Sequence, residues 1–141
     1  MLKFIAPQVK MATILLVDEN PLRSSLRQSI LLRTFPNVVR VTDAAEALCW
    51  VESQKPSPNL RLVITTHSTV GIPASEFVAE LRTRLESVPV LVLLPSAIDS
   101  TATLDSDYSG IDGVHPFVAN SPDEFRKIVT RLLSGDKKQS A

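Results

Sequence analysis

The sequence predicts a three-layer α/β sandwich built on a parallel sheet, and three observations lead there. Five short apolar runs, most of them rich in β-branched residues, recur along the 141-residue chain. Segments with helical spacing of apolar residues separate them. Breaker clusters such as Lys55-Pro56-Ser57-Pro58-Asn59 fall between the periodic segments and not inside them. Short runs without polar alternation read as strands covered on both faces, and strands joined by helices pair in parallel.

The first strand is Thr13-Ile14-Leu15-Leu16-Val17, closed by Asp18-Glu19. Asn20 then offers an N-cap and Pro21 a first helical residue. Leu22, Leu26 and Ile30 follow at four-residue spacing, which predicts an inward stripe and a helix ending near Phe35-Pro36. Arg23, Arg27 and Gln28 lie off that stripe, so Arg23, Arg27 and Arg33 read as a solvated face. Val38 to Val41 is the second strand. Asp43 caps a helix with Ala44, Ala47, Leu48 and Val51 inward. Cys49 reads there as a small hydrophobe beside the inner face, and Trp50, about 100° away, as flank packing.

Leu60 to Thr65 is the third strand, and Thr66 to Pro73 a loop in which His67 reads as a solvated residue. Glu76 to Leu85 is a helix with Phe77, Leu81 and Leu85 inward. Val88 to Leu94 is the strongest strand. Ser96 to Ser109 is a weak helix, because serine, threonine and aspartate dominate it. It is therefore expected to be the most mobile element, anchored by Ile98 and Leu104. Ile111 to Val114 is a short strand. Ser121-Pro122-Asp123-Glu124 forms a capping box for a helix that presents Phe125, Ile128, Val129, Leu132 and Leu133, with Gly135 as its stop.

Composition narrows the function. Fifteen basic and fifteen acidic residues cancel, so no global field favours nucleic acid or a membrane surface. The single cysteine suits a reducing cytoplasm and excludes an internal disulfide framework. No apolar run approaches the roughly 20 residues of a membrane span. Residues 1–11 and 135–141 read as tails around one domain over 12–134, and Met11 is an alternative start. Right-handed crossovers bring every strand's carboxyl end to one edge, where such sheets bind ligands. Asp18, Glu19, Thr66, Leu94 and His115 are all expected at that edge.

These residues carry a resemblance. Ile14-Leu15-Leu16-Val17-Asp18-Glu19-Asn20-Pro21, Thr42-Asp43-Ala44-Ala45-Glu46-Ala47-Leu48, Val88-Pro89-Val90-Leu91-Val92-Leu93, Gly110-Ile111-Asp112-Gly113 and His115-Pro116-Phe117 stand in order. Over residues 12–134 the chain resembles the response-regulator receiver family. The resemblance implies a flavodoxin-like five-stranded sheet in order 2-1-3-4-5, and a cis bond before Pro116. It also implies a phosphoacceptor aspartate at the end of the third strand, five residues before a glycine. Counting back from Gly71 puts Thr66 there. Leu94 takes the place of the hydroxyl residue after the fourth strand, unless a two-residue slip brings in Ser96. His115 takes the place of the conserved lysine, and Asp112 that of the aromatic switch residue. The segment from Gly110 to Pro116 is two residues short, so a deletion is the other reading.

Those departures remove the chemistry. Receivers form an acyl phosphate on a carboxylate, with a divalent cation and a lysine holding the phosphoryl group. Threonine is not an ionised nucleophile or a carboxylate ligand, leucine donates no hydrogen bond, and histidine is a weaker clamp. Asp18 and Glu19 are either a weak magnesium site or a leftover pair capping backbone amides. No other cofactor is expected, and Thr66→Asp is expected to restore magnesium binding. The leading expectation is a cytoplasmic, non-enzymatic pseudo-receiver of two-component phosphorelay signalling, acting by protein contact. Its partner would be a signalling protein docked on the family's fourth helix, fifth strand and fifth helix, and a homodimer is compatible. The second reading is a response regulator that accepts phosphate at a rearranged site. A third, a nucleotide or flavin binder, lacks a glycine-rich phosphate loop.

Overall fold

The computed structural model describes residues 12–53, 59–66, 73–85, 87–94, 113–118 and 121–134. In chain order it contains β1 (Thr13–Val17), α1 (Pro21–Leu32), β2 (Asn37–Val41), α2 (Ala44–Ser53), β3 (Leu60–Thr66), α3 (Ala74–Arg84), β4 (Val90–Leu93), β5 (Val114–Phe117) and α4 (Pro122–Ser134). The five strands form one sheet in the order β2-β1-β3-β4-β5, every pair parallel. The predicted order is the observed one.

Alternation along the strands makes the layers. Leu15, Val17, Val63, Val90 and Val92 face α2 and α3, where Ala44, Ala47, Val51, Phe77, Val78 and Leu81 complete a buried cluster. Their neighbours Ile14, Leu16, Leu62, Ile64, Leu91 and Leu93 point the other way. They pack against Leu31 of α1, Phe35 just after it, and Phe125, Ile128 and Val129 of α4. Three of the four helix starts carry the caps expected of them. Asn20 Oδ1 accepts from the Arg23 N–H at 2.9 Å, Asp43 Oδ1 from Glu46 at 2.7 Å, and Ser121 Oγ from Glu124 at 3.2 Å.

Three expectations fail. The α1 stripe is rotated: Leu22 and Leu26 are exposed, while Ser24 and Leu31 are buried and Ile30 is half-buried against the core. The reason is electrostatic, as the site below shows. Cys49 faces solvent instead of packing as a small hydrophobe. Trp50 does pack against the α2–α3 core. The last strand is Val114–Phe117, not Ile111–Val114, so Pro116 lies within it. That is tolerated because β5 is an edge strand, whose outward groups need no ladder partner. The Ser96 to Ser109 segment, expected to be the most mobile, lies outside the described residues, as do His67, Gly71, Asp112 and both tails. Among the described residues no helix is long and apolar enough to cross a membrane.

Gly113 leads into β5 with φ 78°, a left-handed conformation. A Cβ there would sit 3.2 Å from Arg82 Nη2. That guanidinium cannot give way freely, because it donates to the Leu85 carbonyl at 2.7 Å and to the Val88 carbonyl. Gly113→Ala is therefore expected to lower the unfolding free energy by about 1–2 kcal/mol. Urea denaturation monitored by Trp50 fluorescence checks this.

Candidate functional site

Parallel pairing brings the strand ends to one level. Thr66, the last residue of β3, pairs with Leu93, and Leu93 pairs with Phe117. Val17 pairs with Thr65, so Asp18 follows on beside Thr66 at the same edge. Leu94 follows β4 and turns into the α2–α3 core, its N–H donating to the Phe117 carbonyl at 2.9 Å. His115 does not join this group. It pairs with Leu91, two residues below the edge, or about 6–7 Å along the strand. The three-residue shift of β5 is the cause, and Phe117 occupies the strand-end level where the lysine-equivalent was expected.

Asp18 is the centre of the site. It is 1% exposed, and its backbone N–H donates to the Val41 carbonyl at 3.1 Å. Its carboxylate accepts four hydrogen bonds. Arg23 grips it with Nε at 2.8 Å from Oδ2 and Nη2 at 2.7 Å from Oδ1. Arg27 Nη1 lies 3.0 Å from Oδ2, and the Asn20 N–H donates to Oδ1 at 2.9 Å. Burial works against the ionised form, but the Arg23 hydrogen bonds, the Asn20 N–H and the charges of both arginines outweigh it. The Asp18 carboxyl is held below the ordinary carboxylate range. Arg23 is pushed up by the same pair, whereas burial lowers Arg27. Arginine's ordinary value lies so far above neutral that both stay cationic at pH 7.

Glu19 sits at the rim, 3.8 Å from Arg23 Nη2. The buried Thr66 hydroxyl points towards its Oε1 at 3.5 Å, a long contact. Two carboxylates and two guanidinium groups thus share the edge, and their charges cancel. His115 adds no cation. Burial, then Arg131 and Arg82, push its imidazole down, so it is neutral at pH 7.

The arrangement does not fit a divalent cation of the receiver type. Both Asp18 oxygens already accept charged donors, and a dication there would face two guanidinium groups within a few ångströms. Thr66, the last residue of β3, brings a hydroxyl and not a third carboxylate to this edge. Among the described residues no group of three or more His, Cys, Asp or Glu side chains could hold a metal ion.

The structure brings Asp18, Glu19 and Thr66 together at one edge, and with them Arg23 and Arg27, which sequence reasoning assigned to solvent. A signal existed. Two arginines four residues apart on a helix repel unless they share an anion, and a strand-end aspartate stood five residues before the first. Weighing that anion against the leucine stripe would have turned the helix the right way.

No protein-family model and no curated protein matches this sequence. Solved structures do match. The chain is similar to the chemotaxis response regulator CheY4 of Vibrio cholerae, with 20% identity over 86% of this chain and 98% of that one and a TM-score of 0.72. It is similar to a response regulator receiver protein from Sinorhizobium medicae, with 18% identity over 89% and 96% and a TM-score of 0.73. The signal receiver domain of an HD-domain-containing protein from Pseudomonas fluorescens is 16% identical over 99% and 96%, with a TM-score of 0.75. By its strand order, its layers and these likenesses, the chain has the fold of the response-regulator receiver domains.

Proposed function

We propose that this chain is a pseudo-receiver: a signalling module that acts by protein contact and accepts no phosphoryl group. One observation carries the reading. The pocket aspartate Asp18 is bound by the protein's own Arg23 and Arg27, at an edge where Thr66 stands in place of a carboxylate nucleophile. The internal guanidinium groups do what a bound cation does in an active receiver, neutralising the acidic pocket, but they leave no open coordination position. Magnesium binding by Asp18 and Glu19 is accordingly absent or negligible, and no other cofactor is needed.

Binding is the remaining role. Between β5 and α4 lies an open groove of about 330 Å³ lined by Phe117, Val118 and Ile128 together with Glu124, Lys127 and Arg131. A groove that mixes apolar and charged side chains suits a signalling partner, and it belongs to the face the resemblance singles out. The setting that fits this reading is the cytoplasm.

Incubation with acetyl phosphate and magnesium tests the proposal by intact-protein mass spectrometry. No phosphoryl mass is expected on the wild type, and no beryllofluoride adduct. A phosphorylated species, whether acid-stable on a hydroxyl or base-labile on a carboxylate, supports the competing reading of a response regulator with a rearranged site.

A further inference from the structure

Helix α1 turns its arginines to the pocket and its leucines to water. Leu22 is 74% exposed and Leu26 60%, with exposed Ser29 and Arg33 continuing the same stripe. Positions 22, 26, 29 and 33 are spaced four, three and four apart, the seam spacing of two helices packed side by side. The described chain puts nothing over this seam, so two leucines one turn apart stand open to a partner.

The seam is complementary to itself when run antiparallel. Pairing two copies about a two-fold axis between Leu26 and Ser29 sets each Leu26 over the other copy's Ser29, large against small, twice. The same pairing carries each Arg33 to the start of the other copy's α1, where Glu19 sits. The Arg33 side chain makes no hydrogen bond or ion pair among the described residues. Among the described residues Glu19 has the 3.8 Å contact to Arg23 and the 3.5 Å contact to Thr66. Acid at one end, base at the other and leucine between them is the charge pattern of an antiparallel self-pair. A parallel pair would instead stack Arg33 on Arg33.

We infer that this chain self-associates through an antiparallel α1–α1 contact centred on Leu26 and Ser29, with Arg33 of each copy directed to Glu19 of the other. The inference is independent of whether the strand edge accepts phosphate. The patch is small, so the dimer is a weak one, with a dissociation constant on the order of 100 µM.

Sedimentation equilibrium of the full chain over a dilution series measures it. The wild type is expected to show reversible dimerisation, weakened at least about tenfold by Leu26→Glu and a few-fold by Arg33→Glu. Both positions are exposed, and circular dichroism melting confirms that each variant is folded. Register is read by disulfide trapping in a Cys49→Ser background. A mixture of Leu26→Cys and Ser29→Cys chains should cross-link faster than either variant alone. A wild type that stays monomeric to about 1 mM overturns the inference. So does a dimer that Leu26→Glu leaves intact, which would place the contact on another face.

Discussion

Asp18→Asn is expected to lower the unfolding free energy by about 2–3 kcal/mol at neutral pH, a large effect for a substitution that keeps the side chain's size. The wild-type carboxylate is buried and accepts four N–H donors, three of them from guanidinium groups. Asparagine withdraws the charge and turns an NH2 group towards donors. Arg27, whose side chain is 24% exposed, is then left with a cation it cannot fully hydrate. Arg23, at 41% exposure, can swing out, so Arg23→Ala should cost only about 1 kcal/mol. Combining Asp18→Asn with Arg27→Met should recover part of the loss, because no charge is then stranded. Acid shows the same linkage. A carboxyl whose folded value is depressed stabilises the protein above its ordinary value of about 3.9, and the benefit is lost as pH falls through the folded value. Asp18→Asn should therefore flatten the acid limb of the urea-midpoint curve below about pH 4.

Thr66→Asp alone is expected to restore neither magnesium binding nor phosphate uptake, whereas the sequence by itself pointed to restored magnesium binding. Completing a carboxylate cluster would be enough if Asp18 and Glu19 were available. Arg23 and Arg27 already cancel their charges, and one added carboxylate leaves a net −1 beside two cations competing for the same oxygens. The new aspartate should recruit the guanidinium groups more readily than a hydrated magnesium ion. Adding Arg23→Ala and Arg27→Gln makes the cluster −3, and magnesium binding should then appear in a calorimetric titration. Phosphorylation by acetyl phosphate should still be slow, because Leu94 donates no hydrogen bond and His115 sits two residues below the edge. Magnesium binding by Thr66→Asp alone, as tight as in the triple variant, would show that the arginines do not close the site.

What the sequence made legible follows from which signals are local. Apolar runs such as Leu62–Ile64 and Val90–Leu93 read as strands whatever surrounds them, because no other element hides so many β-branched and leucine residues in so few positions. Caps were legible for the same reason: Asn20, Asp43 and Ser121 act within three residues of themselves. The rotation of α1 was not. Leucine spacing argued for one face, and only the burial of Asp18, a fact of the tertiary structure, makes the arginine face the inner one. The β5 shift escaped because Pro116 argues against a strand unless that strand is known to lie at an edge. Among the site residues, Asp18, Glu19 and Thr66 were recognised by position at strand ends. Their chemistry depends on two helix residues that no strand pattern points to.

In the pseudo-receiver reading Asp18 is neutralised by Arg23 and Arg27 in place of a metal. The most direct measurement is the side-chain carboxyl carbon resonance of Asp18, followed by NMR as a function of pH with and without magnesium. A midpoint below the ordinary aspartate range, unmoved by the metal, is expected. An ordinary or raised midpoint that falls when magnesium is added would contradict it.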